Sequence, residues 1–139
     1  MRVPRKPLQR RGTSAVELAL VAPVFVTLIL GQIEMSRLGM VAQLLTTAAR
    51  EGCRVAVVPG ATESAVQNRV DAVLTGSGIP VGTVTPTCPS PYTWNTAPGG
   101  TAITVSLSVP FSKVSWLGTP IFLQTANVNA SATMSSENP

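Results

Sequence analysis

The sequence TSAVELALVAPVFVTLILGQI, residues 13–33, decides the fold class of this chain of 139 residues. It contains a single charged residue, Glu17, and residues 18–26 include no polar side chain. At about 1.5 Å of rise per residue, a helix over residues 15–33 would be about 28 Å long, close to the ~30 Å hydrocarbon thickness of a bilayer. A core helix of a soluble protein would instead carry polar residues at helical spacing on one face. The stretch therefore predicts a transmembrane helix.

The charged residues are distributed unevenly around this stretch. The chain carries 10 Lys and Arg, 6 Asp and Glu and no His, which gives a formal net charge of +4. Five of the basic residues lie within residues 1–11, whereas residues 13–139 hold the other five and all six acidic residues, a net charge of −1. Because basic residues stay on the cytoplasmic side of a transmembrane helix, we expect a cytoplasmic amino end and an exported carboxyl part.

The composition excludes several classes of function. Residues 13–139 have no excess of positive charge that could neutralise phosphates, so we expect no nucleic-acid partner. Without His there is no Ser–His or Cys–His pair, and a Ser/Lys dyad around Lys113 lacks a Ser-x-x-Lys motif. Two cysteines, Cys53 and Cys88, are too few for a structural zinc site, which needs four Cys or His ligands. We therefore predict no catalytic residue, no metal, no cofactor and no small-molecule substrate.

The apolar stretch has no conventional cleavage site behind it. The best small residue there is Gly31, with the large Ile29 at the −3 position, and no Cys follows the stretch closely enough for a lipoprotein signal. A different pattern lies in front: Gly12 ends the basic leader, and Glu17 is the fifth residue after it. We expect the apolar helix to be retained and only the leader to be a candidate for removal.

This pattern is that of type IV prepilins, and the sequence resembles more closely the TadE-like family of tight-adherence (Flp) pilus assembly. The resemblance covers about residues 10–57 and extends more weakly beyond them. The motifs that carry it are Arg10-Arg11-Gly12, Ala15-Val16-Glu17-Leu18-Ala19-Leu20-Val21, Pro23, Gly31-Gln32-Ile33-Glu34 with Arg37, and Ala48-Ala49-Arg50-Glu51-Gly52-Cys53-Arg54, then Val109-Pro110-Phe111 and an alternating strand ending at Met134.

The resemblance implies roles for three residues at the start of the helix. A prepilin peptidase would cut after Gly12 and free the α-amine of Thr13, with which Glu17 of a neighbouring subunit would pair. Such a partner matters because a carboxylate in hydrocarbon costs about 2–3 kcal/mol or more. The residues also allow a simpler interpretation, in which Glu17 lies in the first helical turn and is favoured by the helix dipole. Gly12 would then be an ordinary flexible junction.

The resemblance also implies a function in assembly. The chain would be a minor pseudopilin-like structural component, not an enzyme, in the bacterial inner (cytoplasmic) membrane. Its partners would be that membrane, a prepilin peptidase, other pilins or pseudopilins and pilus assembly proteins. The alternative is an uncleaved single-pass anchor that displays a binding or adhesion module.

The rest of the chain predicts a pilin-like α+β fold. The first helix continues as an amphipathic helix to Val58, with Met35, Leu38, Ala42, Leu45 and Ala49 on its apolar side, and ends at Pro59-Gly60. A period of two in the later sequence indicates an antiparallel sheet of about three strands. The predicted domains are a leader (1–12), a transmembrane helix with its exported extension (13–58) and a small exported head (59–139). Within the head we expect a second helix over 62–75 with Thr62 as N-cap, and strands over 81–87, 103–109 and 126–134.

Four further sets of residues carry predictions, and three of them leave alternatives open. Gly39 and the Ala48-x-x-x-Gly52 motif could admit another helix or be ordinary surface residues. Glu34/Arg37 and Glu51/Arg54 have the (i, i+3) spacing of ion pairs. Cys53 and Cys88 would both be exported, and a disulfide between them is our hypothesis, with two free thiols as the alternative. Tyr92 and Trp94 could form a contact patch or, as we expect, cover the domain's own sheet edge.

Overall fold

The computed structural model of the protein describes residues 11–80 and 82–139, and of these residues 11–13 by their backbone alone. The predicted leader therefore lies outside the described residues up to Arg10. The described chain divides after Ile33 into two compact units. Its elements are the helices α1 (Arg11–Ala56) and α2 (Glu63–Leu74), the strand β1 (Ala102–Pro110), a 3-10 turn (Phe111–Lys113) and the strand β2 (Asn127–Ser135). The α+β class, the long first helix and the second helix are confirmed.

The first unit is the apolar part of α1. Most side chains from Ser14 to Ile33 are exposed, including Leu20 and Phe25. α1 is long and apolar enough to cross a membrane: its most apolar window has a mean hydropathy of 2.1, and none of that window is buried. The Thr27 hydroxyl donates a hydrogen bond to the Pro23 carbonyl at 2.8 Å. A polar group that is satisfied within its own helix suits a hydrocarbon environment.

The second unit begins with the carboxyl half of α1, whose inner side differs from the predicted one. Leu45 and Ala49 are fully buried as expected, but Met35 is exposed and Val41, which was not predicted to face inward, is fully buried. The buried positions form a row that starts with two charged residues and continues with apolar ones. They are Glu34, Arg37, Val41, Leu45, Ala48, Ala49, Gly52, Cys53 and Ala56.

α2 lies where the second helix was predicted and packs against this row. The Thr62 hydroxyl accepts a hydrogen bond from the backbone N–H of Ala65 at 3.2 Å, which confirms the predicted N-cap. Val66 and Val70 are fully buried and belong to the same hydrophobic core as Leu45. Burial of this apolar stripe, rather than the helix propensity of twelve residues, stabilises so short a helix.

The sheet has two antiparallel strands, and their alternation was predicted. Ile103, Val105, Leu107 and Val109 are all buried. They lie opposite Met134, Ala132, Ala130 and Val128, respectively. These pairs form one apolar face, which covers the helices, while the intervening Ser and Thr side chains face outward.

The predicted third strand is not formed in residues 82–87. Thr87 exchanges both backbone hydrogen bonds with Thr104 of β1, each at 2.8 Å, but this bridge is isolated. Pro86 has no N–H for a ladder, and the N–H of Val84 donates instead to Oε1 of Gln67 on α2 at 2.8 Å. Among residues 82–87, only Thr87 therefore pairs with β1, at the edge that β2 does not occupy.

Candidate membrane anchor and assembly surfaces

The predicted processing and assembly residues lie at the start of α1. Gly12 and Thr13 have a helical backbone, and Glu17 is exposed on the helix surface about one turn later. The side chains around Glu17 are exposed as well, with Val16 and Leu18 each about two thirds accessible. An apolar surface of this extent is stable only when lipid or other apolar helices cover it. The position of Glu17 on this surface would let it face a neighbouring helix.

Glu34, the first residue of the second unit, is buried and is bound by backbone N–H groups. It is 2% exposed, its Oε1 accepts the N–H of Ile121, and its Oε2 accepts the N–H of Phe122 at 3.1 Å. Because both carboxylate oxygens have donors, the cost of burying this side chain is offset by charge-assisted hydrogen bonds. Glu34 therefore fixes the loop that precedes β2 against α1.

Arg37 fixes the other part of the same loop. Its Nε donates to the carbonyl oxygen of Val114 at 2.8 Å, and one terminal nitrogen donates to the carbonyl oxygen of Ser77 at 3.3 Å. The guanidinium carbon lies 4.9 Å from the centre of the Trp116 ring, which is a cation–π geometry. The side chain is 6% exposed, so its charge is almost entirely surrounded by the protein.

The expected ion pair between Glu34 and Arg37 was therefore wrong. The ion pairs among the described residues all involve Glu51, which lies 3.5 Å from Arg54 and 2.7 Å from Arg69. The (i, i+3) spacing predicted Glu51/Arg54 correctly. For Glu34 and Arg37 it failed because each side chain binds loop backbone that lies more than 70 residues further along the chain.

Glu51 joins α1 to α2 through Arg69. Nε and one terminal nitrogen of Arg69 donate to the same oxygen, Oε2 of Glu51, at 3.2 and 2.7 Å. The hydrogen bonds from Arg69 hold the pKa of the Glu51 carboxyl below its ordinary value, and the charge of Arg54 adds to this effect. The sequence offered no signal for the contact between Glu51 and Arg69, since it connects residues on different helices.

The small residues for which two interpretations were open divide between the core and the surface of the second unit. Gly52 is buried, and a Cβ placed on it would lie 2.8 Å from Cγ2 of Val70 on α2. Ala48 is fully buried within the same core. Gly39, in contrast, is exposed, and a Cβ placed on it would meet nothing within 4 Å. Gly52 therefore gives α2 the space to approach α1, and Ala48 belongs to the core of the same unit.

The predicted Cys53–Cys88 disulfide is not formed, and both residues are free thiols. Cys53 is fully buried and its Sγ donates to the carbonyl oxygen of Ile103 on β1, while Sγ of Cys88 donates to the carbonyl oxygen of Tyr92. Burial raises the pKa of the Cys53 thiol, which keeps it protonated and unreactive. Cys53 lies under the sheet, whereas Cys88 follows residues 82–87 at the edge of β1. The two sulfur atoms therefore have different surroundings, and each donates to a different backbone carbonyl.

Tyr92 and Trp94, in the segment that precedes β1, have different environments. Trp94 is half-buried and packs against the core, as expected for a residue that covers its own domain. Tyr92 is about half exposed. The described part of the chain gives no evidence that either residue forms a patch for contact with another protein.

Taken together, the described chain is an α+β protein whose one long apolar N-terminal helix fits a single-pass membrane anchor. Comparison with protein families specifies the amino-terminal part further. The family profile described as "TadE-like protein" matches residues 12–54, which confirms the resemblance found in the sequence. The match begins at the predicted cleavage residue and ends within the last turn of α1. Searches of curated proteins and of solved structures gave no significant match.

Proposed function

We propose that this protein is a minor pseudopilin-like component of tight-adherence pilus assembly. The observation that carries the proposal is the TadE-like match over residues 12–54, which includes the Gly12 junction, Glu17 and the whole apolar stretch. In this proposal the protein does no chemistry. The exposed apolar surface of α1 bundles with the helices of other pilins in the bacterial inner membrane, and the exported head contacts pilus assembly proteins.

Processing after Gly12 is the first step of the proposed function. A prepilin peptidase would remove residues 1–12 with their net charge of +5 and would leave Thr13 as the new amino terminus. Its α-amine has an ordinary pKa of about 7.7–8.0, so it is largely protonated at neutral pH. The amine would lie about 6 Å along the helix from Glu17 of the same chain, within the same layer of a helix bundle.

Glu17 then has a role in bundling rather than in folding. It is exposed in the single chain, and its cost in hydrocarbon falls when it pairs with a cation. The proposed cation is the Thr13 amine of a neighbouring subunit. Pairing of this kind would align adjacent subunits and favour entry of processed chains over unprocessed ones.

Amino-terminal sequencing of the membrane-extracted protein tests the processing step. In cells with an active prepilin peptidase we expect the wild-type sequence to begin at Thr13. We expect the Gly12→Leu variant to keep its leader. Gly39→Leu is the matched control, because Gly39 lies in the same helix and is exposed. A wild-type protein that still begins at Met1 would contradict the proposal and favour an uncleaved anchor that displays a binding module.

A separate experiment tests Glu17. Glu17→Gln removes the charge and should abolish cross-linking between subunits and co-isolation with other pilins, whereas Glu17→Asp keeps the charge and should restore part of both. The purified variants should have unchanged head stability, since Glu17 lies outside the second unit. Equal assembly of Glu17→Gln and wild type would show that the helix dipole alone accounts for this residue.

A further inference from the structure

The loop between the 3-10 turn and β2 presents exposed apolar side chains. Trp116, Ile121 and Phe122 are 61%, 49% and 56% exposed, although they belong to a small domain with a well-buried core. No charged residue occurs between Lys113 and Glu137. An uncharged loop with two exposed aromatic residues is unusual on a surface that faces only water.

Two buried charged residues hold this loop in place. The fold itself therefore keeps the apolar side chains of the loop exposed. Glu34 accepts the N–H groups of both Ile121 and Phe122. Arg37 donates to Val114 and lies under the Trp116 ring. The three apolar side chains are therefore fixed at the level of one turn of α1, residues 34–37.

This turn follows the apolar stretch without any intervening residue. Ile33 ends the stretch, which as a helix matches the ~30 Å hydrocarbon thickness, and Glu34 is the next residue of α1. A helix that spans the hydrocarbon with residues 15–33 enters the headgroup region at residues 34–37. Trp side chains are enriched at this depth, because the ring is apolar and the N–H finds a polar partner.

We propose that the loop carrying Trp116, Ile121 and Phe122 inserts into the headgroup region of the bilayer on the exported side. The inference rests on the single-pass anchorage within the proposed function. Glu34 and Arg37 are positioning residues: they direct their charges toward loop backbone and away from lipid, and thereby hold the loop at the depth at which α1 leaves the hydrocarbon. The occupant is lipid and not a second copy of the chain, because the loop is bound to residues 34–37, which directly follow the apolar stretch in the sequence, and carries no charge between Lys113 and Glu137.

Fluorescence quenching by brominated lipids tests this placement. The full chain is reconstituted into phosphatidylcholine vesicles whose acyl chains are brominated either near the headgroup or near the methyl end. Trp94→Phe leaves Trp116 as the one tryptophan, and Trp116→Phe leaves Trp94 as the control, since Trp94 packs against the core. We expect headgroup-proximal bromine to quench Trp116 about two-fold more than chain-end bromine, as for an interfacial tryptophan, and to leave Trp94 nearly unaffected.

Three outcomes overturn the placement and are distinguishable. Protein that stays in the vesicles at alkaline pH but shows equal, weak quenching of both tryptophans overturns the loop contact and leaves the anchor intact. If alkaline pH extracts the protein from the vesicles, both the loop contact and the membrane part of the proposed function are wrong. If Trp116 is unquenched but cross-links to a second chain, the patch binds protein and the lipid proposal is wrong.

The positioning role has its own test. Glu34→Gln replaces one acceptor by an NH₂ group that faces a backbone N–H, and we expect the depth selectivity of Trp116 quenching to be lost. Glu63→Gln, at an exposed glutamate of α2, is the matched control. Phe122→Ser is a second variant that removes exposed apolar surface without touching the Glu34 hydrogen bonds, and it should lower the quenching of Trp116 while the head stays folded. Unchanged quenching in both variants would contradict the inference.

Discussion

Gly52 of α1 lies so close to Val70 of α2 that a Cβ on the glycine would come within 2.8 Å of the valine Cγ2. Both residues are buried, and Cγ1 of Val66 lies 3.6 Å from the same point. The atoms on the far side of this contact are branched side chains packed in the core, which have little freedom to move away. The glycine therefore sets the distance at which α2 packs on α1.

Gly52→Ala is expected to destabilise the head by about 1–3 kcal/mol through overpacking, despite the higher helix propensity of alanine. Thermal unfolding of the detergent-solubilised protein, followed by circular dichroism, measures the change. Gly39→Ala is the control and should be neutral or slightly stabilising, because its Cβ meets nothing within 4 Å. In the double variant with Val70→Ala, the effect of Gly52→Ala should shrink; simple additivity would contradict a direct contact.

Arg37→Lys should destabilise the head although it keeps the charge. A lysine has one nitrogen where the guanidinium donates in two directions, to Val114 and to Ser77, and it also loses the flat surface under Trp116. The loss of one buried hydrogen bond costs about 1–3 kcal/mol. Arg50→Lys, at an exposed position of the same helix, is the matched control. Equal denaturation midpoints for the two variants would show that the Arg37 contacts contribute nothing.

Periodicity predicted the elements whose stability comes from one apolar face. β1, β2 and α2 each bury a regular stripe, and Thr62 has the side chain that an N-cap needs. The apolar stretch of α1 was predictable for the same reason, since its length and lack of polar residues match a bilayer. These features depend on neighbouring residues along the chain.

The errors concern features that depend on distant parts of the chain. Glu34 and Arg37 have the spacing of an ion pair, but distant loop backbone binds both side chains, and both are buried. The third strand failed because Val84 donates to a glutamine on α2. The sequence alone also could not indicate that α2, rather than another subunit, lies against Gly52.

Thiol counting should find two free cysteines in protein purified without reductant. Under native conditions a maleimide should label Cys88 quickly and Cys53 slowly, since Cys53 is fully buried and burial raises its pKa. Cys88→Ser should remove the fast phase and leave the slow one, which denaturant should accelerate. A protein that gains both thiols only after reduction would show that the disulfide forms after all.

The bond between Glu51 and Arg69 should make the stability of the head depend on acid. Because the folded-state pKa of Glu51 is lowered from 4.5, its contribution is complete above that value and is lost as the pH falls through the lower, folded-state value. We expect Glu51→Gln to lower the melting temperature slightly at neutral pH and to melt like wild type once the pH lies below the folded-state pKa. The effect is small, since Arg69 is half exposed and solvent screens the pair.

Arg69→Gln should behave in the same way, while Glu63→Gln, whose carboxyl has no ion pair among the described residues, provides the control. A difference between wild type and Glu51→Gln that persists unchanged in acid would mean that the charge of Glu51 is not its cause.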